Sequence, residues 1–226
     1  MYSIPTQKEP MRILLILLVL ITFFSCIKKE CQLPGGGYEF QVPISVSPAR
    51  DTFAIGDTIS VISIFSDEVF ERKSCRKYHL PNFPFYPILE MTKIDSSESI
   101  YRIEDFFEVI ISSSNYRMLT LSDGSQVLLG QYDYQGGIYT LDYKLITRSK
   151  GLYVLRQASD DVKNPDQEFE GQCKNLRIDL FSFVNGGGDN NVDMLRDSPD
   201  PHFNDWTLID PERRFHKMGG YCFYVR

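Results

Sequence analysis

The side chains able to do chemistry are few and scattered. The histidines are His79, His202 and His216. No two stand at the H-x-H, H-x-x-x-H or H-E-x-x-H spacing that presents a zinc-binding pair from one strand or helix. No G-x-S-x-G elbow is present to expose a serine nucleophile. Any catalytic or metal centre would have to be assembled from distant positions. The residues therefore read as a non-enzymatic protein without a cofactor. Two loops carry ligand-like groups. The stretch GGGDNNVD from Gly186 to Asp193 holds Asp189, Asn191 and Asp193. These are hard oxygen donors on a pliant loop, the type that calcium takes. The order lacks the D-x-D-x-D-G run and distal Glu of an EF-hand, and the competing role is capping of the helix that follows. In His202-Phe-Asn-Asp-Trp, the single tryptophan Trp206 stands with His202, Asn204 and Asp205. An aromatic face beside amides and carboxylates suits a sugar ring. The competing role is a plug for the end of a core.

The cysteines give a clearer chemistry. Arg12 precedes Ile13 to Phe24, twelve residues with one polar member, Thr22. A membrane-spanning helix needs roughly 20 apolar residues for a core of about 30 Å. A short apolar run behind a basic start is instead the build of a signal peptide. The run ends Phe23-Phe24-Ser25-Cys26. That order resembles the lipobox of bacterial lipoproteins, and the Phe-Phe-Ser-Cys variant looks most like those of the Bacteroidota. The resemblance implies thioether lipidation of Cys26, cleavage before it, and attachment to the outer membrane through two or three acyl chains. Residues 1–25 would then be the signal peptide, with Met11 a plausible true start, since Pro5, Glu9 and Pro10 suit no basic leader. Residues 26–37 would be a tether, and 38–226 a single domain. The alternative is two small sandwiches divided near 130–137. After Cys26 comes Ile-Lys-Lys-Glu, with Glu30 alone in place of the acid run that resembles a surface-export signal. The membrane face is thus left open between periplasm and cell surface.

With Cys26 acylated, Cys31, Cys75, Cys173 and Cys222 remain. An even number in an exported chain is consistent with two disulfides. Of three connectivities, Cys173–Cys222 is favoured because both fall on predicted strands of the C-terminal half, and Cys31–Cys75 then follows. Free buried thiols are the alternative. Arg72, Lys73, Arg76 and Lys77 surround Cys75. They read as a solvated loop around a disulfide or as a contact for anionic headgroups.

The elements that must position these residues are strands. Tyr38, Phe40, Val42, Ile44 and Val46 share one parity, with Pro43 suggesting an edge or bulge. Thr58 to Ser66 is β-branched. A proline turn followed by DTFAIGDTISV looks like the opening strands of immunoglobulin-like extracellular modules. Asp123-Gly124 marks a hairpin. Tyr139, Leu141, Tyr143 and Leu145 line one face of a strand that reads as a hairpin with Leu152 to Arg156. Short helices are expected over 189–198 and after Asp210-Pro211-Glu212. About ten short strands with frequent turns predict an all-β, antiparallel, immunoglobulin-like β-sandwich. The full chain carries 24 basic and 30 acidic residues, net −6. No positive excess exists to hold nucleic acid. The expected partners are the membrane, through the lipid, and envelope proteins or glycans.

Overall fold

The computed structural model describes residues 37–96, 101–161, 169–173 and 176–226. Residues 1–36, which hold the expected signal segment, Cys26, Cys31 and most of the expected tether, lie outside them. The described residues belong to one compact unit. Among them no helix is long and apolar enough to cross a membrane.

The strand β1 (Gly37–Ser47) sets the frame. Its alternation places Tyr38, Phe40, Val42, Ile44 and Val46 inward, all 2% exposed or less. It lies in an eight-stranded sheet with β3 (Thr58–Ser66), β4 (Glu68–Glu71), β5 (Arg76–His79), β7 (Phe107–Ile111), β10 (Asp133–Gln135), β11 (Ile138–Thr147) and β13 (Arg177–Val184). The second sheet has six strands: β2 (Thr52–Phe53), β6 (Phe85–Lys93), β8 (Tyr116–Thr120), β9 (Gln126–Gly130), β12 (Gly151–Asp161) and β14 (Gly220–Val225). The expected all-β sandwich is present, with most pairs antiparallel. Two pairs are parallel, β1 with β13 and β14 with β2.

The sheets meet through aromatic rings. Tyr139 packs edge-on to Phe85 at 5.1 Å, and Phe107 to Tyr153 at 5.0 Å. Two buried tyrosine hydroxyls find partners in the core. Tyr143 Oη donates to Gln157 Oε1 at 2.6 Å. Tyr139 Oη donates to the Leu80 carbonyl and accepts the Phe83 N–H. Burial pushes the hydroxyls of Tyr139, Tyr143 and Tyr132 up, that of Tyr132 to about 12, so these phenols stay neutral through the physiological range.

Two local expectations change. Residues 137–147 and 152–156 are not a hairpin. β11 pairs with β3, β7 and β10, whereas β12 pairs with β6 and β14. The turn at Arg148–Gly151 crosses between sheets, so the two tyrosine-bearing faces look at each other across the core instead of lying side by side. Alternation alone cannot separate these cases, because both strands bury one face. Pro43 is in no edge strand. On one side β1 pairs with β13 along Gly37 to Ile44. On the other it pairs with β4 at Phe40 and with β3 from Ser45. Pro43 falls between those two partners, where no ladder asks for its missing N–H.

The C-terminal excursion forms a second, smaller core. Phe203 and Phe215 pack with Leu195, Ile94, Leu152, Val154 and Cys222. Leu152 and Val154 have the parity opposite to Tyr153 and Leu155, which face the main core. The helical pieces therefore cover the outer face of the second sheet. This is why β12 and β14 read as almost unbroken apolar runs. The two expected helices are short, a 3-10 helix at Val192–Asp197 and a π turn at Glu212–His216, and between them a π helix at His202–Thr207 forms where a loop was expected. Asp210 Oδ1 accepts the Arg213 N–H at 3.2 Å, the capping role its position predicts.

Candidate functional site

The parallel pairing of β1 and β13 sorts their side chains. Val42 is level with Ser182 and Ile44 with Val184, so Leu180, Ser182 and Val184 share the inward face. Phe181 and Phe183 therefore project outward, beside Glu39 and Asp179. Over them lies an open cleft of about 350 Å³. Its walls come from three separate segments: Arg72 from the β4–β5 turn, Gly187 to Asn190 from the glycine-rich loop, and Glu212 with His216 from the last π turn.

The floor is held rigidly. The Arg72 guanidinium carbon stacks 3.5 Å from the centre of the Phe181 ring. Arg72 also bonds Glu39 at 3.2 Å and Glu212 at 3.3 Å. Lys217 bridges Glu39 at 2.9 Å and Asp179 at 3.7 Å. Gly187 has a left-handed φ of 81°, and a Cβ there would stand 2.6 Å from the Phe183 ring. Only glycine lets that loop lie flat on the aromatic face.

Beneath Arg72, Glu71 is fully buried. Its carboxylate accepts N–H bonds from Glu39 at 2.8 Å, Lys73 at 3.2 Å and Ser74 at 2.6 Å. Burial opposes its charge, yet the hydrogen bonds from Ser74, Glu39 and Lys73 outweigh it. Its pKa lies below the usual carboxylate value. This anion thus fixes the turn that delivers Arg72 to the cleft.

The glycine-rich loop uses its predicted donors structurally. Asp189 Oδ1 accepts the Asn191 N–H at 3.0 Å. Asn191 Nδ2 donates to the Cys222 carbonyl at 2.8 Å, and Asp193 pairs with Arg196 at 3.2 Å. Asp189 reaches the cleft, but Asn191 and Asp193 are not among its walls. Among the described residues no three carboxylates, histidines or cysteines are placed to hold a metal ion.

The Trp206 segment lies outside the cleft. Trp206 is 47% exposed, so it does not plug a core. The His202 ring stacks on it at 4.9 Å, and the Arg214 guanidinium carbon stands 4.0 Å from its centre. Arg214 Nη1 also donates to the Trp206 carbonyl. Much of the indole surface is thus already occupied. Asn204 Nδ2 donates to the Ser198 carbonyl at 2.6 Å, while Asp205 is exposed. Of the predicted sugar-binding set, His202 and Trp206 meet, and Asn204 faces its own backbone.

The expected disulfide pairings are overturned. Cys75 and Cys222 are both free thiols, the first exposed and the second buried. Neither Cys173–Cys222 nor Cys31–Cys75 is formed. Cys222 belongs to the smaller core on the outer face of the second sheet, while Cys173 belongs to the main core. Cys173 is itself disulfide-bonded; Cys31 lies outside the described residues. Burial pushes the Cys222 thiol up to about 12, which makes it inert near neutral pH.

Phe181 and Phe183 were not singled out from the sequence, and Glu212 and His216 were named only as a helix-start acid and as a histidine without zinc spacing. The signal was there in part: two aromatics on the parity opposite to Leu176, Ile178 and Leu180 mark an outer face that something must cover.

No protein-family model matches the chain, and no curated protein matches it. Among solved structures, it is similar to the C-terminal domain of the AgI/II polypeptide BspA of Streptococcus agalactiae, at 13% identity and a TM-score of 0.34. The match covers 62% of this chain and 50% of that one, so the chain spans about half the length of the structure it matches.

Proposed function

We propose that this chain is a lipid-anchored binding or structural module of a bacterial cell envelope, without catalytic activity. The cleft over Phe181 and Phe183 carries the binding part of this reading. It joins two aromatic rings with a guanidinium, an imidazole and two carboxylates, and its floor is locked before any ligand arrives. Such an amphipathic, pre-ordered surface suits recognition of an envelope protein or glycan. The anchoring part rests on the order Phe24-Ser25-Cys26 behind an apolar run too short to span a bilayer. Acylated Cys26 would hold domain 38–226 at the outer membrane, facing the periplasm or the surface.

Expression of the full chain with a labelled fatty acid tests the anchor. The wild type is expected to take up label and sediment with the outer membrane. Cys26→Ala is expected to lose the label and most of the outer-membrane fraction, since at least two acyl chains are needed for stable attachment. Full retention of the variant in that fraction would overturn the anchor.

A second reading, a glycan-binding lipoprotein of a nutrient-uptake system, is favoured by the exposure of Trp206. It predicts that a bound glycan protects Trp206 fluorescence from a soluble quencher by roughly twofold. Stacking on an indole needs an open face, so His202→Ala should strengthen the protection if Trp206 is the platform. No change with any of a panel of glycans removes Trp206 as a sugar site.

A further inference from the structure

We infer that the end of the domain formed by the β4–β5 turn and the start of β1 is a contact surface for anionic lipid headgroups. The inference rests on the lipid-anchor reading and adds to it which face meets the bilayer. Gly37, where β1 begins, stands eleven residues after Cys26. Eleven residues reach at most about 39 Å when fully extended. Gly37 and its surroundings are therefore confined to within about 39 Å of the anchored Cys26.

What surrounds Gly37 is basic. Lys73 Nζ donates to the Gly37 carbonyl at 2.9 Å. Arg177 is level with Gly37 on β13, its side chain 75% exposed. Arg76 and Lys77 are exposed on the neighbouring edge strand β5, with no carboxylate at ion-pair distance among the described residues. The nearby acids are turned inward or matched. Glu71 is buried under its three N–H donors. Glu39 is held by Arg72 and Lys217, and Asp179 by Arg177 and Lys217. Glu170 and Glu212 are exposed acids at the border. A cationic face on a chain of net charge −6 is a polarised distribution. It presents Arg76 and Lys77, one on each side of edge strand β5, at an edge open to the one large anionic surface that the proposed anchor brings near. Such attraction acts within about 8 Å at physiological salt, a separation that a tether of this length lets the face reach.

Cys75, in the same turn, provides the probe. It is exposed and free, whereas Cys222 is buried, so among the described residues Cys75 is the thiol open to a fluorescent maleimide, and a Cys75→Ser chain carried through the same labelling gives the background. The full lipidated chain, labelled at Cys75, is reconstituted in phosphatidylcholine vesicles with or without one-third phosphatidylglycerol. Both carry a headgroup-level spin-labelled lipid as quencher. Quenching is expected to be roughly twofold or more greater with phosphatidylglycerol, as expected where each base is attracted separately. It should fall back at high salt and in the Arg76→Glu/Lys77→Glu variant, whose circular dichroism should match wild type. Equal quenching in both vesicles overturns the inference while leaving the anchor intact, provided the chain floats with the vesicles. A chain that does not float overturns both. If the double variant self-associates with quenching unchanged, the two charges guard edge strand β5 against pairing with another chain, and the inference fails.

Discussion

Glu71→Ala is expected to destabilise the domain by about 3 kcal/mol, the cost of stranding buried N–H donors at about 1–3 kcal/mol each with partial relief from water. Three backbone N–H groups lose their acceptor at once. The β4–β5 turn then loses its fixed shape, and Arg72 its position on Phe181. The loss should be read as a drop in the urea midpoint with unchanged slope. Its pH dependence has a definite sign. The folded pKa of Glu71 lies below its ordinary value, so its contribution is complete above the unfolded carboxylate pKa of about 4.3. It is lost as pH falls through the depressed folded value. Glu71→Gln should therefore cost most at neutral pH and least in acid. A variant within about 0.5 kcal/mol of wild type, the range of ordinary surface substitutions, would show that the turn holds without its anion.

Phe40→Ala is expected to cost about 4 kcal/mol, as for other fully buried phenylalanines. Phe40 is completely buried. Its ring stacks on Tyr38 at 5.6 Å and meets Tyr78 at 5.8 Å and Phe169 at 5.6 Å. One substitution opens a cavity where β1, β5 and the segment before β13 converge, and no flexible neighbour stands ready to fill it. For a domain of this size the melting temperature should fall by roughly 10 °C. Ile209→Ala provides the contrast. Ile209 is apolar but 70% exposed, so its removal should leave stability within about 0.5 kcal/mol. Equal effects from both would contradict the assignment of the core.

Much of the sheet structure was legible because period-two alternation is a local property. Tyr38 to Val46 and Tyr139 to Leu145 each declare an inward face without reference to any partner. Which strands pair is not local. The turn at Arg148–Gly151 looks the same whether it closes a hairpin or crosses between sheets, and the choice lies with Tyr143 and Gln157 meeting across the core. The same holds for the cleft. Arg72, Asp189 and Glu212 each stood in a segment notable by itself for charge, glycine or capping. Their convergence depends on β13 running parallel to β1, which no short stretch of sequence can announce. The cysteines failed for a related reason. Cys222 sits on a strand with both faces covered, so lying on a strand said nothing about which core its thiol enters.

The parallel pairing of β1 with β13 also bears on when the fold can form. Gly37 finds Arg177 as its partner across an interval of 140 residues. A chain made from its N-terminus completes β1 long before β13 arrives. Until then one edge of the strand carrying Tyr38, Phe40 and Val42 has no ladder to join. Such separation delays closure of the core and exposes apolar surface to other chains. Assembly is thus a late, whole-chain event. A nascent domain truncated before residue 177 is expected to depend on chaperones that a completed one can leave behind.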